Sequence, residues 1–253
     1  MQMTTLTGWI AATALVLLPS QAGAAACSDQ VQDWARLCAY ADLNREIGDP
    51  RPDEMRVVFM GDSITECWDR ERQGMFSARS HINRGISGQT TSQMLLRFRQ
   101  DVVALKPRAV VLLAGTNDIA GNTGPVDMAT VFGNIASMAE LATQHGIGVL
   151  IVSVLPASKY YWAPEKRPGP QITALNALLR EYAMKCDYKY VDLHAQGLAP
   201  RTYDPLVDVT PPDEVAKLVR NVQETIRKCV EVMPTHAEYI ARHCAAGTAP
   251  GIK

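Results

Sequence analysis

Short apolar runs alternate with longer amphipathic segments along most of the chain. The short runs predict strands near residues 57–60, 81–83, 109–114, 147–154 and 188–193. Between them, apolar positions recur at helical spacing, which predicts helices near residues 92–105, 128–145 and 171–185. Strands and helices that alternate in this way form a parallel sheet with helices on both faces. The pattern therefore predicts an α/β fold.

Both ends of this region carry a further helical pattern. At the amino end, residues 31–41 have apolar positions at helical spacing, and the two prolines within residues 49–53 end the predicted helix. Near the carboxyl terminus, residues 215–230 carry apolar positions at helical spacing, which predicts a long helix that begins at residues 211–214. A short helix near residues 237–243 follows.

The connection at residues 157–170 is longer than the others. It contains Tyr160, Tyr161, Trp162 and three prolines, a composition that predicts a long loop. Because the loop follows the fourth predicted strand, it lies at the carboxyl ends of the strands, where ligands bind in open α/β sheets.

Composition limits the class of protein. The chain has 253 residues, 47% of them hydrophobic, and a formal net charge of -1. These values indicate one soluble domain and argue against a nucleic-acid-binding or polybasic membrane protein.

The first 26 residues resemble a secretory signal. An apolar stretch at residues 9–18 precedes Pro19 and small residues at 22–26, although no Lys or Arg occurs before Arg36. About ten apolar residues are too few for a membrane span, which needs about 18 to 20. We therefore predict a signal peptide at residues 1–26 and an exported, periplasmic or secreted, single domain at residues 27–253. Its helical extension starts at about residue 234.

The cysteines fit an exported protein. All six follow the predicted signal, and an even number favours disulfides, whose pairing the spacing leaves open. Cys27, directly after three alanines, is alternatively a site for lipid attachment. No CxxC pair or Cys/His cluster has zinc spacing, so the sequence predicts no metal site.

Candidate chemistry begins at the segment GDSIT, residues 61–65, directly after the first predicted strand. A serine hydroxyl needs a base to take its proton and donors for the oxyanion that forms on attack. Ser63 is placed at the amino end of a helix, where free backbone N–H groups favour negative charge. The alternative is that the segment only caps the helix.

Two further turns offer oxyanion donors at the same edge of the predicted sheet. Gly88 lies in ISGQT after the second strand, and Asn117 lies in GTND after the third. The backbone N–H of Gly88 and the side-chain amide of Asn117 are suitable donors, although both residue types are also common in turns.

With these three motifs in order, the chain resembles the SGNH hydrolases, also called the GDSL esterase/lipase family. The resemblance implies that Ser63 is the nucleophile and that Gly88 and Asn117 form the oxyanion hole with the Ser63 N–H. It also implies a three-layer flavodoxin-like fold, with a five-stranded parallel sheet in the order 2-1-3-4-5. Hydrolysis of carboxylic esters without a cofactor is the implied activity.

The family's last block, a DxxH pair that supplies the base and its acid, is degenerate in this chain. Asp204 and Asp208 are candidates for the acid, but the residues three positions later are Val207 and Pro211, which cannot accept a proton. His194, at the end of the fifth predicted strand, is the substitute base that we consider first.

The other four histidines are weaker substitutes. His81 and His145 each precede a strand, so they are predicted at the opposite edge of the sheet. His236 and His243 belong to the carboxyl-terminal extension, and they reach the site only if this extension folds back over it.

Two functions are compatible with these residues. The first is an exported serine hydrolase that acts on acyl or acetyl groups of a carbohydrate or lipid, with activity weakened by the altered last block. The second is a catalytically degenerate protein that binds a carbohydrate or acyl ligand, with Tyr160, Tyr161 and Trp162 as an aromatic wall. The alternative for these aromatics is simple packing of their loop. A small ester or glycan is the expected partner, and the sequence indicates no protein partner.

Overall fold

The computed structural model describes residues 33–71, 80–193 and 201–203. Its strands, in chain order, are β1 Val57–Gly61, β2 His81–Gly85, β3 Ala109–Leu113, β4 Gly148–Val152, β5 Ala157–Tyr160, β6 Lys189–Val191 and β7 Arg201–Tyr203. Its helices are α1 Ala41–Ile47, α2 Ser63–Glu71, α3 Thr91–Asp101, α4 Thr116–Ala120, α5 Met128–Gln144 and α6 Gly169–Lys185. A 3₁₀ turn, Val103–Leu105, follows α3.

Five parallel strands form the main sheet in the order β2-β1-β3-β4-β6. This is the predicted order 2-1-3-4-5, because β6 is the fifth of the predicted strands and the short β5 precedes it in the chain. The predicted α/β fold is therefore confirmed. The strand β5 pairs with β7 in a separate two-stranded parallel sheet.

Side chains of the sheet alternate between two apolar layers, as the period of two in a strand requires. Val58 and Met60 of β1 belong to a core with residues of α3, α5 and α6. Val57 and Phe59 belong to a second core on the other face, together with Trp68 of α2. Both layers are apolar along the central strands, which explains why these segments read as continuous apolar runs.

Two sequence predictions need correction. Residues 157–170 are not entirely a loop, because residues 157–160 form β5, and Tyr160 is fully buried in the core. The predicted amino-terminal helix is later and shorter: residues 34–40 form turns, and α1 has no buried residue. These turns are fixed by side chains such as Asp33, whose carboxylate accepts hydrogen bonds from the N–H groups of Leu37 and Cys38.

Several sequence predictions lie outside the described residues. They include the signal peptide, Cys27, the carboxyl-terminal helices and their histidines, His194, Asp204 and Asp208. In the part of the chain that the structure covers, Cys38, Cys67 and Cys186 are not joined to one another, so the disulfides stay a prediction. No helix there has the length and apolar character to cross a membrane.

Candidate active site

The loops that follow β1, β2 and β3 meet at one edge of the sheet. The register pairs Gly61, the last residue of β1, with Gly85 of β2 and with Leu113 of β3. Ser63 lies directly beyond this edge as the first residue of α2, and it is partly exposed. The turn is held by Asp62, whose Oδ1 accepts a hydrogen bond from the Ile64 N–H at 2.9 Å.

The loop after β2 carries Gly88 and is tied to α2. Gly88 has φ +78°, a left-handed conformation that a residue with a side chain adopts only with strain. One residue earlier, the N–H and hydroxyl of Ser87 both donate to Oε2 of Glu66, the N–H at 2.8 Å. Glu66 is one turn of helix after Ser63, so this contact fixes the loop relative to the start of α2.

Asn117 connects the loops after all three strands. Its side chain is buried at the start of α4, where Nδ2 donates to the Gln89 carbonyl at 3.0 Å and to Asp62 Oδ2 at 3.3 Å. The structure therefore brings the segments of Ser63, Gly88 and Asn117 together. Their roles in catalysis remain predictions.

A second side-chain amide, that of Asn122, contacts Asn117. Asn122 Nδ2 donates to Asn117 Oδ1 at 2.9 Å and to the Gly88 carbonyl at 3.1 Å. Asn122 Oδ1 in turn accepts a hydrogen bond from Trp162 Nε1 at 3.1 Å. Asn122 was not among the predicted site residues, because a polar residue in a glycine-containing turn has no distinctive signature.

A buried arginine connects the strand ends and loops next to the site. Arg97 of α3 is 0% exposed, and its guanidinium donates to Asp101, to Gln89 Oε1 and to the carbonyls of Gly61 and Arg84. It therefore fixes the ends of β1 and β2 and the segment that follows Gly88. Arg97 was not among the predicted site residues, although an Arg and an Asp four positions apart on an apolar helix face are a usable signal.

Gln89 also connects the site to the amino-terminal segment. Its Nε2 donates to the Ala35 carbonyl at 2.9 Å, and Gln93 Nε2 donates to the Trp34 carbonyl at 2.7 Å. Residues 33–40 thus pack beside the loop that carries Gly88, rather than as a separate extension.

Two buried carboxyl groups flank Asn117. Burial raises the pKa of Asp62 to about 7; the hydrogen bond from Ile64 opposes this shift, and the charge of Asp118 adds to it. Burial also raises the pKa of Asp118, against the hydrogen bonds that it accepts from the hydroxyl and N–H of Thr91.

Asp62→Asn is expected to change how stability depends on pH. The carboxyl group of an unfolded Asp has a pKa of about 3.9, so between about pH 4 and 7 Asp62 is more protonated in the folded than in the unfolded state. The free energy of unfolding must then fall as the pH rises through this window. Between pH 5 and 8, the free energy of unfolding of wild type should fall by on the order of 2 kcal/mol more than that of Asp62→Asn. Urea titrations at both values measure this loss, and parallel pH dependence of the two proteins would contradict it.

The two described histidines lie at the opposite edge of the sheet. His81 is paired in register with Val57, four residues before Gly61, which places it about 13 Å from the edge near Ser63. His145 ends α5 before β4, and its Nδ1 lies 2.9 Å from the Leu141 carbonyl. Neither is therefore placed to act on Ser63. His194, Asp204 and Asp208 stay outside the described residues.

Comparisons with known proteins show the family to which the chain is similar. A family model described as the GDSL-like Lipase/Acylhydrolase family matches residues 59–229. The solved structure of a candidate acylhydrolase from Bacteroides fragilis is 40% identical, with a TM-score of 0.72, and the match covers 78% of this chain and 99% of that one. For a GDSL-like lipase from Bacteroides thetaiotaomicron, the identity is 39%, the TM-score 0.69 and the coverage 76% and 99%.

Curated relatives match over shorter segments. An acetylxylan esterase from Geobacillus stearothermophilus is 31% identical over 87 residues, which are 25% of this chain and 40% of that protein. The chain spans about a third to a half of the length of the curated relatives that it matches.

Proposed function

This chain belongs to the GDSL-like lipase/acylhydrolase family, and on that premise we propose that it is a serine hydrolase that cleaves carboxylic esters through Ser63. The observation that carries the proposal is the meeting of three loops at one sheet edge, where Asn117 contacts both Asp62 and Gln89. These contacts bring a hydroxyl, a glycine N–H and a side-chain amide into one region.

In the proposed reaction, Ser63 Oγ attacks the ester carbonyl carbon and passes its proton to a base. The N–H groups of Ser63 and Gly88 and the amide of Asn117 stabilise the oxyanion. The alcohol leaves with a proton from that base, and water then hydrolyses the acyl-enzyme. Free N–H groups at the start of α2 favour the negative charge that develops beside Ser63.

His194 is the base that we propose. It directly follows Leu193, whose N–H donates to Ser153 Oγ at 2.9 Å, just beyond the end of β4. The chain therefore reaches the carboxyl edge of the sheet immediately before His194. Asp204 or Asp208 is the proposed acid position.

Acyl or acetyl groups on a carbohydrate or lipid are the proposed substrates. The similarity to an acetylxylan esterase supports the carbohydrate ester in particular. A structural polysaccharide such as xylan lies outside the cell membrane, so this substrate agrees with export through the predicted signal at residues 1–26.

A fluorophosphonate probe tests the proposal directly. An activated serine displaces fluoride and forms a bond from its Oγ to phosphorus, so the native protein should be labelled at Ser63 in a time-dependent manner. Peptide mapping by mass spectrometry locates the adduct, and heat-denatured protein is the control. Labelling at another residue, or equal labelling after denaturation, would contradict an activated Ser63.

The second candidate function is ligand binding without catalysis. His81 and His145, the two histidines within the described ranges, favour this alternative because they lie at the edge of the sheet opposite Ser63. Tyr161, 42% exposed, packs edge to face on Trp162 and offers an aromatic surface to a sugar. Protein that resists the probe but changes its tryptophan fluorescence with an acetylated xylo-oligosaccharide would support this alternative.

A further inference from the structure

Three side chains form a line of hydrogen bonds that ends at the proposed oxyanion donors. Trp162 Nε1 donates to Asn122 Oδ1 at 3.1 Å, and Asn122 Nδ2 donates to Asn117 Oδ1 at 2.9 Å. Asn122 Nδ2 also donates to the Gly88 carbonyl at 3.1 Å. One amide therefore contacts both residues to which we assign oxyanion stabilisation besides Ser63.

The line has a direction because the indole N–H is only a donor. The oxygen and nitrogen of an amide have nearly the same shape, so packing alone does not distinguish the two orientations of Asn122 or Asn117. The indole N–H of Trp162 requires the oxygen of Asn122 to face it, and the Gly88 carbonyl, which can only accept, favours the same orientation. The nitrogen of Asn122 then faces Asn117 and selects its oxygen. This leaves Nδ2 of Asn117 on the side of Asp62 and of the Gln89 carbonyl, which also requires a donor.

The opposite orientation of Asn117 would remove its proposed function. Its oxygen would face the Asp62 carboxyl group and the Gln89 carbonyl, and its nitrogen would face the nitrogen of Asn122. An oxygen at this position could not donate to a developing oxyanion. The Nδ2 group can, because its contact with Asp62 Oδ2 is long at 3.3 Å and one N–H can turn from it to the oxyanion.

The first member of the line is held firmly. Trp162 stacks on the ring of Tyr160 with centroids 4.8 Å apart and an angle of 21°, and Tyr160 is fully buried. The stack fixes the indole against the core, so its N–H has a defined position. A side chain held in this way orients its hydrogen-bond partner with little entropic cost.

We propose that Trp162 and Asn122 are positioning residues that set the orientation of the Asn117 amide and hold the Gly88 loop for oxyanion stabilisation. The proposal deepens the proposed esterase function and rests on it. It assigns to part of the aromatic segment at residues 160–162 a role in catalysis through Asn117, rather than only in loop packing.

Trp162→Phe tests the direction of the line, because phenylalanine retains an aromatic ring against Tyr160 and lacks the N–H. For a short-chain aryl ester we expect kcat to fall by about 5- to 10-fold with little change in KM. Asn122→Asp, which cannot donate, should lower kcat by about 10²-fold. Trp34→Phe, the same substitution at a tryptophan that is 48% exposed and contacts Gln93 through its backbone carbonyl, is the matched control and should stay within about twofold of wild type.

A measurement without turnover separates this proposal from the proposed function. The side-chain NH₂ group of Asn117 should give one pair of ¹⁵N–¹H signals in wild type, and this pair should shift and broaden in Trp162→Phe as a second orientation appears. Unchanged Asn117 signals together with an unchanged kcat in Trp162→Phe would overturn the proposed positioning role. If Ser63→Ala retains full activity, the proposed esterase mechanism fails, while the Asn117 signals still decide whether Trp162 orients the amide.

Discussion

Replacing Ser63 by alanine is expected to lower kcat for ester hydrolysis by about 10⁴- to 10⁶-fold. The hydroxyl is the proposed nucleophile, and no covalent acyl-enzyme forms without it. The oxyanion donors at Gly88 and Asn117 remain, so a small rate above that in water should persist. KM should change little, because removal of one hydroxyl leaves the walls of the site intact.

Ser87→Ala is the matched comparison for this prediction. Ser87 lies at the same sheet edge, and its hydroxyl already donates to the carboxylate of Glu66. Its loss should lower kcat by less than about tenfold, because the Ser87 N–H still donates to Glu66. The two variants are compared by initial rates with a short-chain aryl ester. If Ser87→Ala abolishes hydrolysis and Ser63→Ala does not, the nucleophile has been assigned to the wrong serine.

The base is identified by the same assay. If His194 takes the proton of Ser63, His194→Ala should approach the rate of Ser63→Ala, and the double variant should be no worse than either single variant, because the two residues act as a unit. Unchanged turnover in His194→Ala would exclude it as the base. Differential scanning calorimetry shows whether each variant is folded.

Much of the fold was predictable from the sequence, because the central strands are buried on both faces. Val57–Gly61 and Ala109–Leu113 are buried at every position, so they appear as continuous apolar runs between polar segments. The order of the strands then followed from the family resemblance. Three turn motifs also located Ser63, Gly88 and Asn117, since parallel strands bring their following loops to one edge.

The elements that sequence analysis misjudged depend on tertiary contacts. Residues 34–40 have apolar positions at helical spacing, but Asp33 and the side chains of Gln89 and Gln93 satisfy their backbone groups in turns instead. The strand β5 is short, and within the described residues it pairs with β7, about 40 residues later in the chain. Local propensity contains no information about such partners.

The supporting residues of the site escaped prediction for a related reason. Asn122 and Trp162 are 40 positions apart in the chain, and only the fold brings them together. Arg97 is polar, so a hydrophobic pattern predicts it at the surface. Its buried guanidinium reaches four acceptor groups, two of them the carbonyls of Gly61 and Arg84, which come together only when β1 and β2 are in register. Burial lowers the pKa of Arg97, and the charge of Asp101 opposes that shift.

Arg97→Met is expected to lower the free energy of unfolding by about 3–5 kcal/mol. Methionine keeps much of the volume but removes every donor, so the buried negative charge of Asp101 loses its ion pair and keeps the hydrogen bond from Asn44 and the nearby charge of Arg84. The carbonyls of Gly61 and Arg84 also lose a partner, and each buried acceptor without a hydrogen bond is costly. Urea unfolding of the variant and of wild type measures the difference.

The same substitution at Arg99 is the control, because this residue lies two positions further along α3 and is exposed. Its guanidinium is 3.4 Å from Nε2 of His145, and Arg99→Met should change stability by no more than about 0.5 kcal/mol. A loss below about 1 kcal/mol in Arg97→Met would show that the buried network contributes little. Adding Asp101→Leu to Arg97→Met should recover part of the loss, because the buried charge is then removed with its partner. Recovery of stability without recovery of kcat would separate the two contributions of Arg97: it balances the charge of Asp101, and it holds Gly61 and Gln89 beside Ser63.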